Sequence, residues 1–246
     1  MRIPVRWTKW DIRLGAALVV FLLIWGGYNL YIGYSSVDPE QLLSEAIANT
    51  NKATSFRFKT GSVIYVDGRQ ETLSRITGEK SKEGLHIKGE MLNTAVDIYQ
   101  IGNKTYFKDI KDDNWIVIDD NNLEKSQMLM AELNPLAYFT IKDSLELKVM
   151  DVEKVNGRWL VKLEMKPDLD NPWLEVLWTD FHYTVWVDKG KRVISKAVLR
   201  AREKTDDKTK LELTIDFSDY NRDLKITVPK VKKEVSSDKK IFFLPE

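Results

Sequence analysis

The chain contains no cysteine in 246 residues, which excludes disulfide bonds, thiolate metal sites and lipid attachment through a cysteine. Histidine is scarce as well: only His86 and His182 occur, far apart in sequence, and no histidine or carboxylate cluster has the spacing of metal ligands. The sequence has neither a glycine-rich phosphate loop nor a serine in a nucleophile elbow. These absences predict a protein that is not an enzyme and that carries no cofactor or metal.

An excess of charge of either sign is also lacking. Lys and Arg number 38 against 37 Asp and Glu, and the two signs are interspersed along the chain. Nucleic-acid binding requires a concentrated basic surface, which this pattern does not provide. We therefore expect no nucleic-acid partner.

One segment, residues 14–37, has no charged residue at all. A helix crosses the bilayer core with roughly 20 predominantly apolar residues, and residues 14–35 supply that length. Aromatic side chains favour the headgroup zones, and they occur near both ends of this segment, at Trp7, Trp10, Trp25, Tyr28, Tyr31 and Tyr34. The segment is therefore predicted to be a transmembrane helix that serves as a signal anchor.

The residues before this segment set its orientation, because they are basic: Arg2, Arg6, Lys9 and Arg13. The positive-inside rule then predicts that residues 1–13 are cytoplasmic and that everything after the single span is extracytoplasmic, at the cell membrane. A cleaved signal peptide is the alternative, with a weak small-residue site at residues 33–35.

Residues 38–229 predict one extracytoplasmic domain that is mostly β-structure. Asp38 and Pro39 favour the start of a helix over residues 38–51, since Asp is a good N-cap and Pro fits the first helical position. About eleven short strands follow, separated by turn residues, which is typical of an antiparallel meander. Residues 122–136 interrupt the strands with a helical pattern, and residues 167–181 form an insertion with a short helix. The last predicted strand is residues 224–228, and residues 230–246 form a charged tail with an apolar end that is either frayed or docked.

Short motifs in this domain occur in the order found in a known superfamily. They are Thr54-Ser55-Phe56-Arg57-Phe58, Ile87-Lys88-Gly89-Glu90, Ile98-Tyr99-Gln100-Ile101-Gly102-Asn103-Lys104-Thr105-Tyr106, Trp115, Asn134-Pro135-Leu136, Val185-Trp186-Val187-Asp188, Phe217-Ser218-Asp219-Tyr220-Asn221 and Ile226-Thr227-Val228-Pro229. On these motifs the chain resembles the lipoprotein-carrier (LolA/LppX-like) superfamily, in a membrane-anchored Gram-positive form. It departs from many Gram-positive members because it lacks their lipid-modified cysteine. A tethered protein cannot shuttle far, so this departure argues against long-range transport.

The resemblance implies a single strongly curved antiparallel sheet, an open half-barrel, with helices against its concave face. Any apolar cavity left uncovered would accept a hydrophobic ligand such as an acyl chain. The inward strand positions predicted to line it are Phe56, Phe58, Ile98, Trp115, Val117, Trp159, Val161, Leu213 and Ile215. For each of these residues, ordinary core packing is the alternative.

The insertion carries a second group of candidates, Trp173, Leu177 and Trp178, flanked by acidic residues. They are predicted to form a lid over the cavity or a patch for a protein partner, or else a small satellite core. Two functions remain open at this point. One is a membrane-anchored binder of a lipid, lipoprotein or other hydrophobic ligand in the cell envelope. The other is a non-enzymatic module that binds another envelope protein and fills its cavity with its own helices.

Overall fold

The computed structural model describes residues 9–35, 38–109, 114–118, 135–139, 141–169 and 172–231. The chain divides into two compact units, Met1–Asp38 and Pro39–Glu246. The first unit contains helix α1, Lys9–Ser35, and its large apolar side chains from Leu18 to Trp25 are 51–70% exposed. Over the residues that the structure describes, no helix combines the length and the apolarity of a membrane span.

The second unit consists mainly of β-strands. The strands are β1 Phe56–Val66, β2 Arg69–Lys80, β3 Gly84–Met91, β4 Thr94–Ile101, β5 Lys104–Lys108, β6 Trp115–Ile118, β7 Ile141–Val155, β8 Arg158–Leu169, β9 Trp178–Asp188, β10 Val193–Glu203 and β11 Lys210–Ser218. Its described helices are α2 Pro39–Lys52, the short 3-10 helix η1 Pro135–Phe139 and α3 Pro172–Leu177.

All eleven strands belong to one antiparallel sheet in the order β6-β5-β4-β3-β2-β1-β11-β10-β9-β8-β7. The sheet is not closed, because β6 and β7 form its two edges. The prediction of a mostly β domain with a single antiparallel sheet of about eleven strands is confirmed. Consecutive strands pair with each other except β6 and β7, which form opposite edges, and β1 pairs in addition with β11, far away in sequence.

One face of the sheet is apolar across most of its width, and we call it the inner face. Residues paired in register point to the same side of a sheet, so the pairing defines rows of side chains across it. One such row is Leu163, Val185, Ala197, Ile215, Thr60, Ile76, Gly89 and Val96. A second row is Phe217, Phe58, Gly78, Ile87, Ile98, Phe107 and Ile116. The core of the domain therefore lies on this face.

Helix α2 packs against β7, β9 and β10 through the apolar side chains that the sequence places at helical spacing. Leu42, Leu43 and Ala46 are buried. The C-terminal end of the helix is fixed by the Ile194 amide, which donates to Thr50 Oγ1 at 3.0 Å, and by Asn49 Nδ2, which donates to the Arg192 carbonyl at 2.9 Å. The prediction of a helix over residues 38–51 agrees with α2 to within one residue.

Helix η1 contacts α2 and adds an aromatic side chain to the same core. The Phe139 ring is buried, and its centroid lies 6.5 Å from that of Tyr183 and 6.1 Å from that of Phe217. Both partners are on the inner face. The predicted helical region over residues 122–136 lies outside the described residues except for its last two positions, which begin η1.

Two predicted elements differ from the structure. Residues 224–228 form no strand and are not part of the sheet. The Asn221 amide donates to the Ser55 carbonyl at 2.8 Å, and Leu224 and Ile226 are buried. The insertion is also shorter than predicted, because β8 continues to Leu169 and β9 begins at Trp178.

Candidate functional site

The inner face brings together six of the nine residues predicted to line a cavity. They are Phe56, Phe58, Ile98, Val161, Leu213 and Ile215, and none is more than 6% exposed. The alternation of apolar and polar residues along β1 and β11 is what directs these side chains to one side. Their burial is compatible with either reading, a cavity wall or a packed core.

Trp159 lies on the same face but near the end of β8, where it is only half-buried. Lys154 Nζ sits 5.7 Å from the centroid of its ring, an arrangement in which the ammonium is attracted to the aromatic face. Trp159 is therefore at the margin of the inner face.

The structure does not bring Trp115 and Val117 together with the other seven residues. Val117 pairs with Tyr106, which in turn pairs with Tyr99, and this row points to the outer face. The Trp115 ring meets Tyr99 edge-on at 5.3 Å, which places it on that face too. The physical reason is register: a shift of one residue moves every side chain of a strand to the opposite face.

Sequence reasoning missed a polar patch in the middle of the inner face, formed by Thr60, Ser62 and Ser74. We call it the hydroxyl patch. Ser62 Oγ and Ser74 Oγ lie 2.7 Å apart and share a hydrogen bond, and both residues are 2% exposed. Thr60 is 9% exposed, and its Oγ1 has no hydrogen-bond partner among the described residues. The signal was present in the sequence, because Thr60 and Ser62 continue the inward positions of Phe56 and Phe58 along β1.

An aromatic cluster borders this patch at the start of β1. The Phe56 ring lies 6.0 Å from Phe58, 5.5 Å from Phe217 and 5.9 Å from Tyr220. The Tyr220 hydroxyl donates to the Ile194 carbonyl at 2.7 Å, and burial raises the pKa of this phenol. Burial likewise raises the pKa of Tyr183, so both phenols stay neutral at physiological pH.

Around Arg57 and His86 the outer face is polar and carries paired charges. Arg57 forms ion pairs with Glu79 at 2.8 Å and with Asp219 at 3.0 Å, and its hydrogen bond to Glu79, followed by that to Asp219, raises the pKa of the guanidinium. His86 stacks on Tyr99 with ring centroids 3.9 Å apart, and its Nε2 lies 2.9 Å from Asp97 Oδ1. Exposed ion pairs of this kind contribute little to stability.

Two concavities lie on this outer face. One, of about 220 Å³, includes Arg57, Lys59, Glu79, His86 and Lys88 among its lining residues. The other, of about 630 Å³, adjoins the ends of β9, β10 and β11. Arg200 pairs there with Glu212 at 2.8 Å, and His182 Nε2 lies 3.2 Å from Asp180 Oδ1. Among the described residues, no three His, Asp or Glu side chains converge as metal ligands would.

The predicted lid or partner patch coincides with α3 and the start of β9. Leu177 is 57% exposed and Trp178 is half-buried, while the side chain of Trp173 lies outside the described residues. Val176, which sequence reasoning did not select, is 67% exposed beside them. The Lys204 amide donates to the Leu177 carbonyl at 2.9 Å and so ties this segment to the end of β10.

Three solved structures match this chain at low sequence identity. LprF from Mycobacterium bovis is 14% identical, with a TM-score of 0.50 over 78% of this chain and 97% of that chain. The lipoprotein LppX from Mycobacterium tuberculosis is 14% identical, with a TM-score of 0.48 over 77% of this chain and 100% of that chain. A LolA superfamily protein from Nitrosomonas europaea is also 14% identical, with a TM-score of 0.34 over 77% and 96% of the two chains.

The chain thus shares the fold of LprF, in agreement with the LolA/LppX-like fold expected from its motifs, while the membrane-anchored Gram-positive form stays a prediction. No protein-family model matches the sequence, and no curated protein matches it either.

Proposed function

We propose that this protein binds a lipid, a lipoprotein or another hydrophobic ligand in the cell envelope while it is held at the membrane. The observation that carries the proposal is the inner face, whose rows of apolar side chains run from β8 to β6 across the sheet. An apolar layer of this width has to be covered, either by the domain's own side chains or by a ligand, and a ligand with a long apolar chain could cover it. LolA/LppX-like architecture is compatible with this use.

Acyl chains suit such a surface because their binding is governed by buried area. Each buried methylene contributes about 0.8 kcal/mol, so a chain of about ten carbons offsets a substantial ordering cost. Phe58, Ile98 and Leu213 offer aliphatic and aromatic contacts on three different strands. The proposal assigns these side chains to the wall that such a chain would touch.

The proposed location rests on the sequence of residues 1–35. Residues 14–35 contain no charged residue, and the basic residues before them favour a cytoplasmic N-terminus. The β-domain would then lie outside the cell membrane. The intact mass of the protein recovered from the membrane fraction tests whether the anchor is retained, and release of a shorter chain would refute it.

The ligand proposal is tested on the full chain, extracted from membranes and held in amphipol. Native mass spectrometry should show added mass from co-purified lipid, and a fluorescent long-chain fatty acid should bind with saturable signal. Phe58→Asp, which places a charge on the inner face, should abolish both signals. Lys196→Asp, on the outer face, is the matched control and should keep them. Absence of both signals from the wild type would eliminate the proposal.

A second function is favoured by one observation. Phe139 and the buried side chains of α2 already occupy part of the inner face, as they would if the domain filled its own hollow and bound another envelope protein. In that case the exposed Val176 and Leu177 would contact the partner. Binding that is lost when these two residues become serine, in a chain that carries no lipid, would support this function over the first.

A further inference from the structure

The hydroxyl patch occupies the centre of a surface that is otherwise apolar. In its row, Thr60 lies between Ile215 on β11 and Ile76 on β2, and both isoleucines are at most 3% exposed. Thr184, a buried threonine in β9, offers a contrast because it points to the outer face. Thr60 is therefore a polar side chain whose two neighbours in the row are both aliphatic.

A buried hydroxyl without a partner weakens a protein. Leaving one unsatisfied lowers the folding equilibrium constant by roughly 5- to 150-fold, and valine has nearly the same shape as threonine without this penalty. Thr60 Oγ1 is in this state among the described residues. Because valine at this position would avoid this loss of stability, we expect the Thr60 hydroxyl to have a function that valine could not perform.

We infer that the hydroxyl patch receives a neutral oxygen carried part-way along the apolar chain of the ligand, such as a hydroxyl or an ester carbonyl. This inference rests on the proposed function, and it narrows the ligand class. Thr60 Oγ1 can both donate and accept a hydrogen bond, and the shared Ser62 and Ser74 hydroxyls add a second polar point beside it. The three side chains are uncharged, which favours a neutral oxygen over a carboxylate.

The position of Thr60 along β1 places this oxygen far from both ends of the strand. Thr60 is four residues from Phe56 and six from Val66, so it lies about 13 Å and about 20 Å from the two ends of the strand at 3.3 Å per residue. A polar headgroup left at the end of the sheet would not reach it. The oxygen must therefore lie within the chain of the ligand.

The test compares stearic acid with its 2-hydroxy, 10-hydroxy and 12-hydroxy derivatives, measured by calorimetry on the full chain in amphipol with an amphipol-only blank. The wild type should bind a mid-chain hydroxy acid about tenfold more tightly than stearic acid, and the 2-hydroxy acid should gain nothing. Thr60→Val should remove the preference and raise the melting temperature of the unliganded protein. Thr184→Val is the matched control and should keep the preference.

Each other result has a definite meaning. Equal binding of all four acids by the wild type, or a preference that survives in Thr60→Val, would overturn the inference while leaving the proposed function in place. A lower melting temperature for unliganded Thr60→Val would also overturn it, because the hydroxyl would then have a partner within the protein. If none of the acids binds the wild type, the proposed function fails and takes the inference with it.

Discussion

Gly78 has no side chain because Phe58 takes the space that one would occupy. Both residues lie on the inner face, paired across β1 and β2. A Cβ atom added at Gly78 would stand 2.1 Å from the Cζ atom of Phe58. Carbon atoms in contact are about 3.5 to 4.0 Å apart, so Gly78→Ala requires the ring to move by roughly 1.5 Å.

The surroundings resist that movement. Phe58 is 2% exposed, and the Phe56 ring stands 6.0 Å away. Overpacking of this kind costs about 1 to 3 kcal/mol in the free energy of unfolding. In a Phe58→Ala background the same substitution meets no ring, and it should then stabilise by about 0.4 to 1 kcal/mol through the loss of glycine flexibility in the unfolded chain. The coupling energy between the two sites is thus expected to be about 1.5 to 4 kcal/mol.

The measurement is a double-mutant cycle from urea unfolding, followed by tryptophan fluorescence on the full chain. Gly61→Ala is the matched control in the neighbouring strand, because a Cβ there meets only the Ser74 carbonyl oxygen, at 3.7 Å. It should be neutral or slightly stabilising. If Gly78→Ala behaves like Gly61→Ala, or if the two single effects at residues 58 and 78 simply add, then the ring does not lie over Gly78 and the reasoning fails.

Three further predictions follow from other parts of the β-domain. Leu92 has a φ of 49° in the turn between β3 and β4 and is 67% exposed, so Leu92→Asn should stabilise by about 0.5 to 1 kcal/mol in thermal unfolding, and a loss of stability would refute the strain. Val176→Ser combined with Leu177→Ser should leave the melting temperature unchanged, since both side chains are mostly exposed, and should weaken ligand or partner binding if α3 forms a lid or contact patch. The hydrogen bond from Thr209 Oγ1, followed by that from the Lys208 amide, lowers the pKa of Asp206 below its ordinary value of 3.8. The ionised Asp206 carboxylate therefore stabilises the fold above pH 3.8, and this stabilisation is lost as the pH falls through the pKa that Asp206 has in the folded protein. The stability difference between wild type and Asp206→Asn should therefore shrink in acid, and a difference that grows below pH 3.8 would contradict this.

The sequence predicted the sheet well where alternation is strong. Phe56 and Phe58 in β1, and Leu213 and Ile215 in β11, alternate cleanly with polar residues, and all four point inward as expected. When side chains alternate with a period of two, placing one residue on a face of the sheet also assigns the others, so the inward positions of β1 and β11 were predicted correctly.

The assignment failed for Trp115 because alternation within β6 says nothing about which of its two faces is inward. That choice depends on the register with β5, and the intervening residues do not fix it. The hydroxyl patch was missed for a different reason. A search for apolar lining residues passes over Thr60 and Ser62, although both lie at alternate positions after Phe58 and therefore point to the same face. Gly78 could not be understood from the sequence at all, since its role depends on an aromatic ring in another strand.

The pairing of β1 with β11 makes the sheet from two hairpin series, β1–β6 and β7–β11, joined along a single seam. Each series forms from contacts between chain neighbours, whereas the seam joins Arg57 to Ser218 and must close a very long loop, which is a slow event in folding. During synthesis, the first series is complete while β1 still has an unpaired edge, and such an edge invites pairing with other chains. The protein therefore depends on its last strand to protect its first one, and any chain that stops short of β11 is expected to aggregate rather than to survive as half a domain.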